Sequence, residues 1–500
     1  MMKNHLIVSI LAGLIIVLFC FRVHLSVHRL FATDELEHLH SAWCVSQGEI
    51  IYKDFFEHHP PLFYFTLVPL YYFFEGTTLL VTARLVMMIF VALIFLFVYL
   101  ITTHLKNRAA GIFAVFLVST TVLFLQKSLE VRPDVPALMF LLAAVLWMIP
   151  GTNKKPFWDF LAGVSMTLSL LYTPKTLFPL LGLLLAVVII SGSGREILKR
   201  FLWFSFGASI PAVTFLIYFL SHDALEQAFF YNCTFNTMIS YQHQWQNFSS
   251  SFLSSFKANP LFWCLSLGAL TSVLFKLRRK FRGKKRNGVV KESIIAACTL
   301  GTMLGLLVLQ VPLRQYLMIL VTLLAIVLAG EFFNLIEELQ YRAGHTWSSR
   351  FAALLICVLA MQPIVSFSNE HKTLNDRQLE ILQYVWNICD EEDSVFDCWT
   401  GLYVFRPHAF FYHFLGPDIY PTLIKMDKNI LQRDLLDALQ EQKPKIVIKD
   451  RLFAELPVRV QQYIHGNYQP GKYSFIWQRR EKKTDRVDKV TMKVESLGNK

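Results

Sequence analysis

Five hundred residues, 54% hydrophobic and 14% aromatic but only 17% charged, with a mean hydropathy of +0.43, exclude a string of ordinary soluble domains, which carry about 25% charge. The net charge of +12 does not indicate nucleic acid, because much of it lies in one run, 276–286, between two apolar segments, where it reads as a cytoplasmic anchor facing anionic lipid. Eight scattered cysteines form no paired CxxC signature, which sets aside a zinc ribbon or dithiol redox motif; Cys389 and Cys398, in the polar tail, read equally as a pair or as two free thiols.

The chain opens MMKNHLIVSILAGLIIVLFC, a lysine before an apolar run with no small-residue cleavage site after it, and this is read as a retained first span at 5–22. Further apolar runs of about spanning length follow at 80–104, 109–127, 135–150, 157–173, 176–190, 200–220, 260–275, 293–311, 316–331 and 351–367. Segment 60–75 is apolar as well. If it crossed the bilayer, every later loop would change sides. Kept as a re-entrant or interfacial helix, it leaves 104–108, 150–156, 191–200, 276–292 and 331–350 in the cytoplasm, where they hold 18 Lys and Arg between them, as the positive-inside rule requires.

The expectation is therefore a polytopic α-helical membrane domain, 1–367, with about eleven spans. A small extracytoplasmic α/β domain follows at 368–480, and a charged, disordered tail at 481–500. Within the small domain the pattern predicts helices at 372–388, 430–442 and 456–465 and strands at 394–399, 445–449 and 473–477.

The unusual polar residues fall on the outer loops. In the first, 23–59, Asp34, Glu37, His38 and Ser41 share one helical face, and Glu57-His58-His59-Pro60-Pro61 closes the loop with two prolines that forbid helix through them. Glu130, Arg132 and Asp134 lie in the loop 128–134, Lys175 at the turn 173–175, Arg314 as the lone charge of its apolar stretch, and Arg84 near the start of the second span. Taken singly, each has a plain alternative, a solvated interfacial helix or a side chain snorkelling from a helix end. Together they set cations suited to a phosphate headgroup beside carboxylates suited to general-base work. A lipid-phosphate sugar brings its own leaving group, consistent with the absence of any GxGxxG or GxxxxGK[ST] phosphate loop.

Asp34-Glu35-x-x-His38, followed at some distance by Phe55-Phe56-Glu57-His58-His59-Pro60-Pro61-Leu62, resembles the first-loop signature of the protein O-mannosyltransferases and of the wider GT-C class of integral-membrane glycosyltransferases, which includes an aminoarabinose-transferase branch. Gly76 and Ala83-Arg84-Leu85 resemble it too. The resemblance implies a GT-C fold and sugar transfer from a polyprenyl-phosphate donor to a lipid, glycan or protein acceptor on the extracytoplasmic face, with inversion. It implies Asp34 as general base with Glu35 in support, and His59 and Arg84 as donor-phosphate ligands. The topology adds Lys175 and Arg314 to that set. Glu130 or Asp134, with Arg132 between them, are expected to meet sugar or acceptor. His58 and His243 are candidate ligands for a divalent metal. Trp399, Tyr403 and Arg406 in the tail read either as an aromatic sugar platform or as core. The rival class, a transporter or lipid flippase with an outer accessory domain, calls for symmetric halves with broken helices at matching positions, and no half repeats another.

Overall fold

The computed structural model describes residues 2–149, 155–191, 193–240, 245–282, 290–309, 313–370, 372 and 374–480. The chain divides into two compact units, 1–52 with 57–376, and 53–56 with 377 onward. The first unit is helical. Its helices are α1 (Met2–His28), α2 (Thr33–Ser46), α3 (Leu62–Leu67), α4 (Gly76–Leu105), α5 (Arg108–Thr120), α6 (Val122–Ser128), α7 (Asp134–Met148), α8 (Pro156–Tyr172), α9 (Leu177–Ile190), α10 (Gly194–Ser221), α11 (Leu225–Phe229), α12 (Asn236–Ser240), α13 (Trp245–Ala258), α14 (Pro260–Arg282), α15 (Val290–Leu309), α16 (Leu317–Ala343) and α17 (His345–Glu370).

Among the described residues six helices are long and apolar enough to cross a membrane, and a seventh span is made if α5 and α6, bent by 73°, count as one. The other four of the eleven expected spans fall on helices that miss that standard alone: α7, α8, α9 and α15. Periodicity and composition located these helices without measuring how much of each run would stay helical. Segment 60–75 forms α3 and a 3-10 turn, Val68–Tyr72, too short for the ~20 residues of a span.

The spans are sorted by what surrounds them. In α16 nearly every side chain from Leu317 to Ala329 is buried, whereas Leu202, Phe206, Ile210, Val213 and Ile217 make an exposed apolar stripe along α10, the surface lipid would wet. Helices α8 and α10 cross on glycines: a Cβ on Gly163 would lie 2.0 Å from the Phe204 carbonyl oxygen, and one on Gly207 2.0 Å from that of Phe160. Only residues without a side chain allow backbones this close, and such contacts supply dispersion where no hydrophobic drive exists.

The break between α5 and α6 leaves backbone polar groups without helical partners inside an expected span, where lipid could not satisfy them. Side chains do so instead. The Asn259 side chain accepts from Val122 N–H (2.8 Å) and donates to the Thr120 carbonyl (3.5 Å) and to Gln362 (2.6 Å). From α1, Arg22, fully buried, donates to the carbonyls of Ser119 (3.0 Å) and Phe124 (3.3 Å) and to the Ser128 hydroxyl (2.9 Å). The bend delivers the chain into the loop that carries Glu130, Arg132 and Asp134.

The second unit comprises α18 (Asp376–Ile388), β1 (Val395–Asp397), α19 (Ile419–Met426), α20 (Asp434–Gln442), β2 (Ile446–Ile448), α21 (Val458–Asn467), β3 (Tyr468–Pro470) and β4 (Ile476–Arg479). The sheet order is β1-β2-β4-β3, with β1 and β2 parallel in the register Val395↔Ile446 and the other pairs antiparallel. Tyr403 is buried with its hydroxyl on His413 Nδ1 (2.6 Å), and Arg406 caps the carbonyls of Cys389, Phe405 and Trp386. Tyr403 therefore belongs to the core, and the half-buried Arg406 ties the loop to α18. Cys389 and Cys398 are buried free thiols. The 481–500 tail lies outside the described residues.

Candidate active site

Helix α2 starts abruptly after Ala32, and its first turn carries two acids that part company. The Glu35 carboxylate reaches back to Ala32 N–H (2.9 Å), satisfying one of the N–H groups a helix start leaves unpaired. It also takes a forked pair of hydrogen bonds from Arg84, Nε to Oε2 at 2.8 Å and Nη2 to Oε1 at 2.7 Å, and accepts Val131 N–H at 2.9 Å. Arg84 spends its remaining donors on the carbonyls of Ser26, Arg29 and Leu30, at the end of α1 and just beyond it, and stacks on Phe31 at 3.7 Å. Both side chains are 0% exposed. All five N–H donors of Arg84 are thus engaged inside the protein, and the pair clamps α1, α2, α4 and the 128–134 loop together.

Asp34, one residue earlier, keeps 35% of its side chain exposed and pairs with the Arg132 guanidinium. Burial alone would raise its carboxyl, but Arg132, then His38 and Lys127, bring it down to about 2. Arg132 also bonds Glu130, which is nearly inaccessible and takes Lys127 (2.8 Å) and Arg29 (3.7 Å) as well. Glu130 is therefore engaged by three cations and sets Arg132 in place. Asp134, first residue of α7, is bonded to Lys175 Nζ at 2.7 Å, and the same ammonium lies 3.6 Å from the centre of the Tyr316 ring. Arg314 opens the 3-10 turn, Arg314–Tyr316, that supplies this ring. Asp34, Arg132, Asp134 and Lys175 form one charge cluster.

The prolines at 60 and 61 hold the second half of the site. Glu57 is 0% exposed; its Oε1 accepts His58 N–H (2.8 Å), His59 N–H (2.9 Å) and His59 Nδ1 (2.8 Å), and its Oε2 accepts the Ser41 hydroxyl (3.0 Å) from α2. The His59 ring lies 4.0 Å from His58 and 5.0 Å from His38, itself within 3.3 Å of the Tyr64 hydroxyl. Burial first, and then His59, push the imidazoles of His38 and His58 down to about 3, so both are neutral. Burial and the charges of Glu57 and Asp34 hold Glu37 well above the carboxylate range. Burial would raise Glu57 too, but the His59 hydrogen bond and charge keep it ionised.

Asn236, from α12, was invisible in the sequence: it takes His58 Nδ1 at 3.0 Å and donates to the His58 carbonyl at 2.6 Å, and nothing in the run YNCTFNTM marks it. His38, Glu57, His59 and, alternatively, Glu37, Glu57, His58 set possible ligand atoms within 4.8 Å of one another, a donor set of the kind that holds first-row metals. These atoms are already engaged, Glu57 by four hydrogen bonds and His58 Nδ1 by Asn236, so a cation here would have to displace bonds the fold has made. His243 lies outside the described residues.

A fold of this kind, with a polar first loop set against apolar helices, is that of the GT-C membrane glycosyltransferases. The chain matches ArnT from Cupriavidus metallidurans bound to undecaprenyl phosphate with a TM-score of 0.62 at 12% identity, over 94% of this chain and 97% of that one. It matches the oligosaccharyltransferase of Archaeoglobus fulgidus, tethered to an acceptor peptide, with a TM-score of 0.55 at 12% identity, over 95% and 74%. Within the sequence, residues 58–220 match the family of dolichyl-phosphate-mannose-protein mannosyltransferases, a stretch that begins at the histidine-proline corner and ends with α10. No curated protein sequence matches the chain.

Proposed function

We propose that this integral, multi-pass membrane protein transfers a sugar from a polyprenyl-phosphate-linked donor to a lipid, glycan or protein acceptor at the extracytoplasmic face. The reading rests on Asp34: of the two acids at the start of α2, it alone is accessible, and it is held ionised beside Arg132. An ionised carboxylate at the edge of a cation cluster can take the proton of an acceptor hydroxyl or amine as that group attacks the anomeric carbon. Arg132, Lys175, Arg314 and His59 supply positive charge or N–H donors for the lipid phosphate that leaves from the opposite side, and such displacement inverts the anomeric centre. Asp134 orients Lys175. The likeness to ArnT, seen with undecaprenyl phosphate, supports a prenyl-phosphate donor. The extracytoplasmic placement rests on the 18 Lys and Arg of the opposite loops.

The test is a transfer assay in membranes with radiolabelled polyprenyl-phosphate sugars, comparing wild type with Asp34→Asn. The variant is expected to insert normally and lose transfer by about a hundredfold or more, the usual range for a general base. A variant that inserts and transfers at the wild-type rate removes Asp34 from the reaction. A reporter fused after residue 367 is expected to be active outside, and one within 276–286 inside.

A further inference from the structure

We infer that Glu57 is a positioning residue: it fixes the His59 ring so that Nε2 is presented as the donor-phosphate contact, and this inference rests on the proposed function above. Three observations carry it. First, Glu57 Oε1 accepts from the Nδ1 of His59 at 2.8 Å while also accepting both backbone N–H groups of the His58–His59 turn. A carboxylate in that place assigns the proton to Nδ1, and the other ring nitrogen is left for a ligand. Second, the pair is asymmetric in exposure, Glu57 at 0% and His59 at 28%: the acid is inside and the imidazole faces outward. Third, the ring has no freedom to turn away. Pro60 and Pro61 restrict the backbone, the rings of His58 and His38 flank it at 4.0 and 5.0 Å, and Ser41 anchors the far oxygen of Glu57 to α2 at 3.0 Å.

An imidazole backed by a buried carboxylate can gain a proton at Nε2 when an anion arrives there, because the new positive charge sits between two negative groups. A phosphate monoester or diester oxygen suits that position; a neutral sugar hydroxyl gains less. A lysine in place of the histidine carries its charge on a flexible stem and needs no carboxylate to orient a ring. Beyond its bonds to the turn and to Ser41, Glu57 therefore contributes to donor binding only while residue 59 is histidine.

That dependence sets the experiment: a double-mutant cycle on the purified full-length protein in detergent, reading the Kd of undecaprenyl phosphate, with transfer assayed in parallel. Glu57→Gln is expected to weaken binding about tenfold, a typical coupling between contacting groups, and to raise the donor KM more than it lowers kcat. His59→Lys is expected to bind within about threefold of wild type, and adding Glu57→Gln to it to cost nothing further. Equal loss in both backgrounds would make Glu57 a prop of the turn only and would overturn the inference, as would wild-type binding by Glu57→Gln, or a His59→Lys protein that binds no better than His59→Ala. If Glu57→Gln does not fold, Glu57→Asp, which keeps the charge but shortens the reach to Nδ1, takes its place with the same expectations. If the wild type neither binds undecaprenyl phosphate nor transfers from it, the proposed function itself fails; if it does both and the cycle shows no coupling, only the role of Glu57 fails.

Discussion

Glu35 and Glu57 are both 0% exposed, and each accepts hydrogen bonds from backbone N–H groups and from a nitrogenous side chain, but the two assemblies end differently. Behind Glu35 stands Arg84, whose every donor is used inside the protein. Behind Glu57 stands His59, with one nitrogen tied and the other turned outward. Burial of a charge pair therefore does not by itself mark a site. What separates scaffold from machinery is whether the partner has bonding capacity left over and a face on which to use it.

The largest test of this contrast removes one partner from each pair. Arg84→Met leaves the Glu35 carboxylate buried beside uncapped carbonyls, and is expected to cost about 3–5 kcal/mol of stability, read as loss of folded, monodisperse protein in detergent. His59→Ala removes one of four hydrogen bonds to the buried Glu57 and is expected to cost less stability than Arg84→Met, while transfer collapses. If Arg84→Met folds and melts as wild type does, the clamp is not structural.

Acid titration gives a smaller effect and sharpens the same contrast, because the histidine corner holds two rings that the fold keeps neutral. His38 and His58 sit at about 3 in the folded protein against an ordinary value near 6.5. The unfolded chain therefore takes up two protons below about pH 6.5 that the folded one refuses, and stability is lost as pH falls through that window, at up to about 1.4 kcal/mol per pH unit for each ring. Glu37, raised in the folded state, works in the opposite sense and offsets part of this loss. The melting temperature in detergent is expected to drop between pH 7 and pH 5, and His58→Asn to flatten that drop; a level or rising profile would contradict the burial of the rings.

The smallest expected effect is that of chelation. Since the Glu57 carboxylate already accepts the His58 N–H and His58 Nδ1 is taken by Asn236, EDTA at millimolar concentration should leave transfer unchanged. Loss that is restored by a divalent cation would move these groups from hydrogen bonding to ligation.

Much of this could be read in the chain. Asp34 and the Glu57–Pro61 corner stood out because carboxylates, imidazoles and prolines are rare beside spans, and the structure keeps Asp34 accessible while burying Glu57. The surroundings of Arg84 were not legible: its motif places it at the head of a span but does not reveal that the end of α1 surrounds it with carbonyls. Nor does the sequence show that Lys127, Arg29 and Arg132 all pair with Glu130. In the small domain β3, Tyr468–Pro470, and α19, Ile419–Met426, escaped notice because a three-residue strand ending in proline and an eight-residue helix give too few repeats for any period to register.

The bend between α5 and α6 constrains how this protein can be made. Its Val122 N–H and Thr120 carbonyl are answered by Asn259, which is itself held by Gln362. While the ribosome is still translating the first half, Arg22 is in place but Asn259 has not been synthesised, so the bend has only part of its bonding and an unbroken helix is the better satisfied state. The angle that carries the 128–134 loop to Asp34 is therefore set late, when the eighth and the last of the eleven expected spans reach the bilayer, and a nascent chain halted before residue 259 would hold its first loop without that angle fixed.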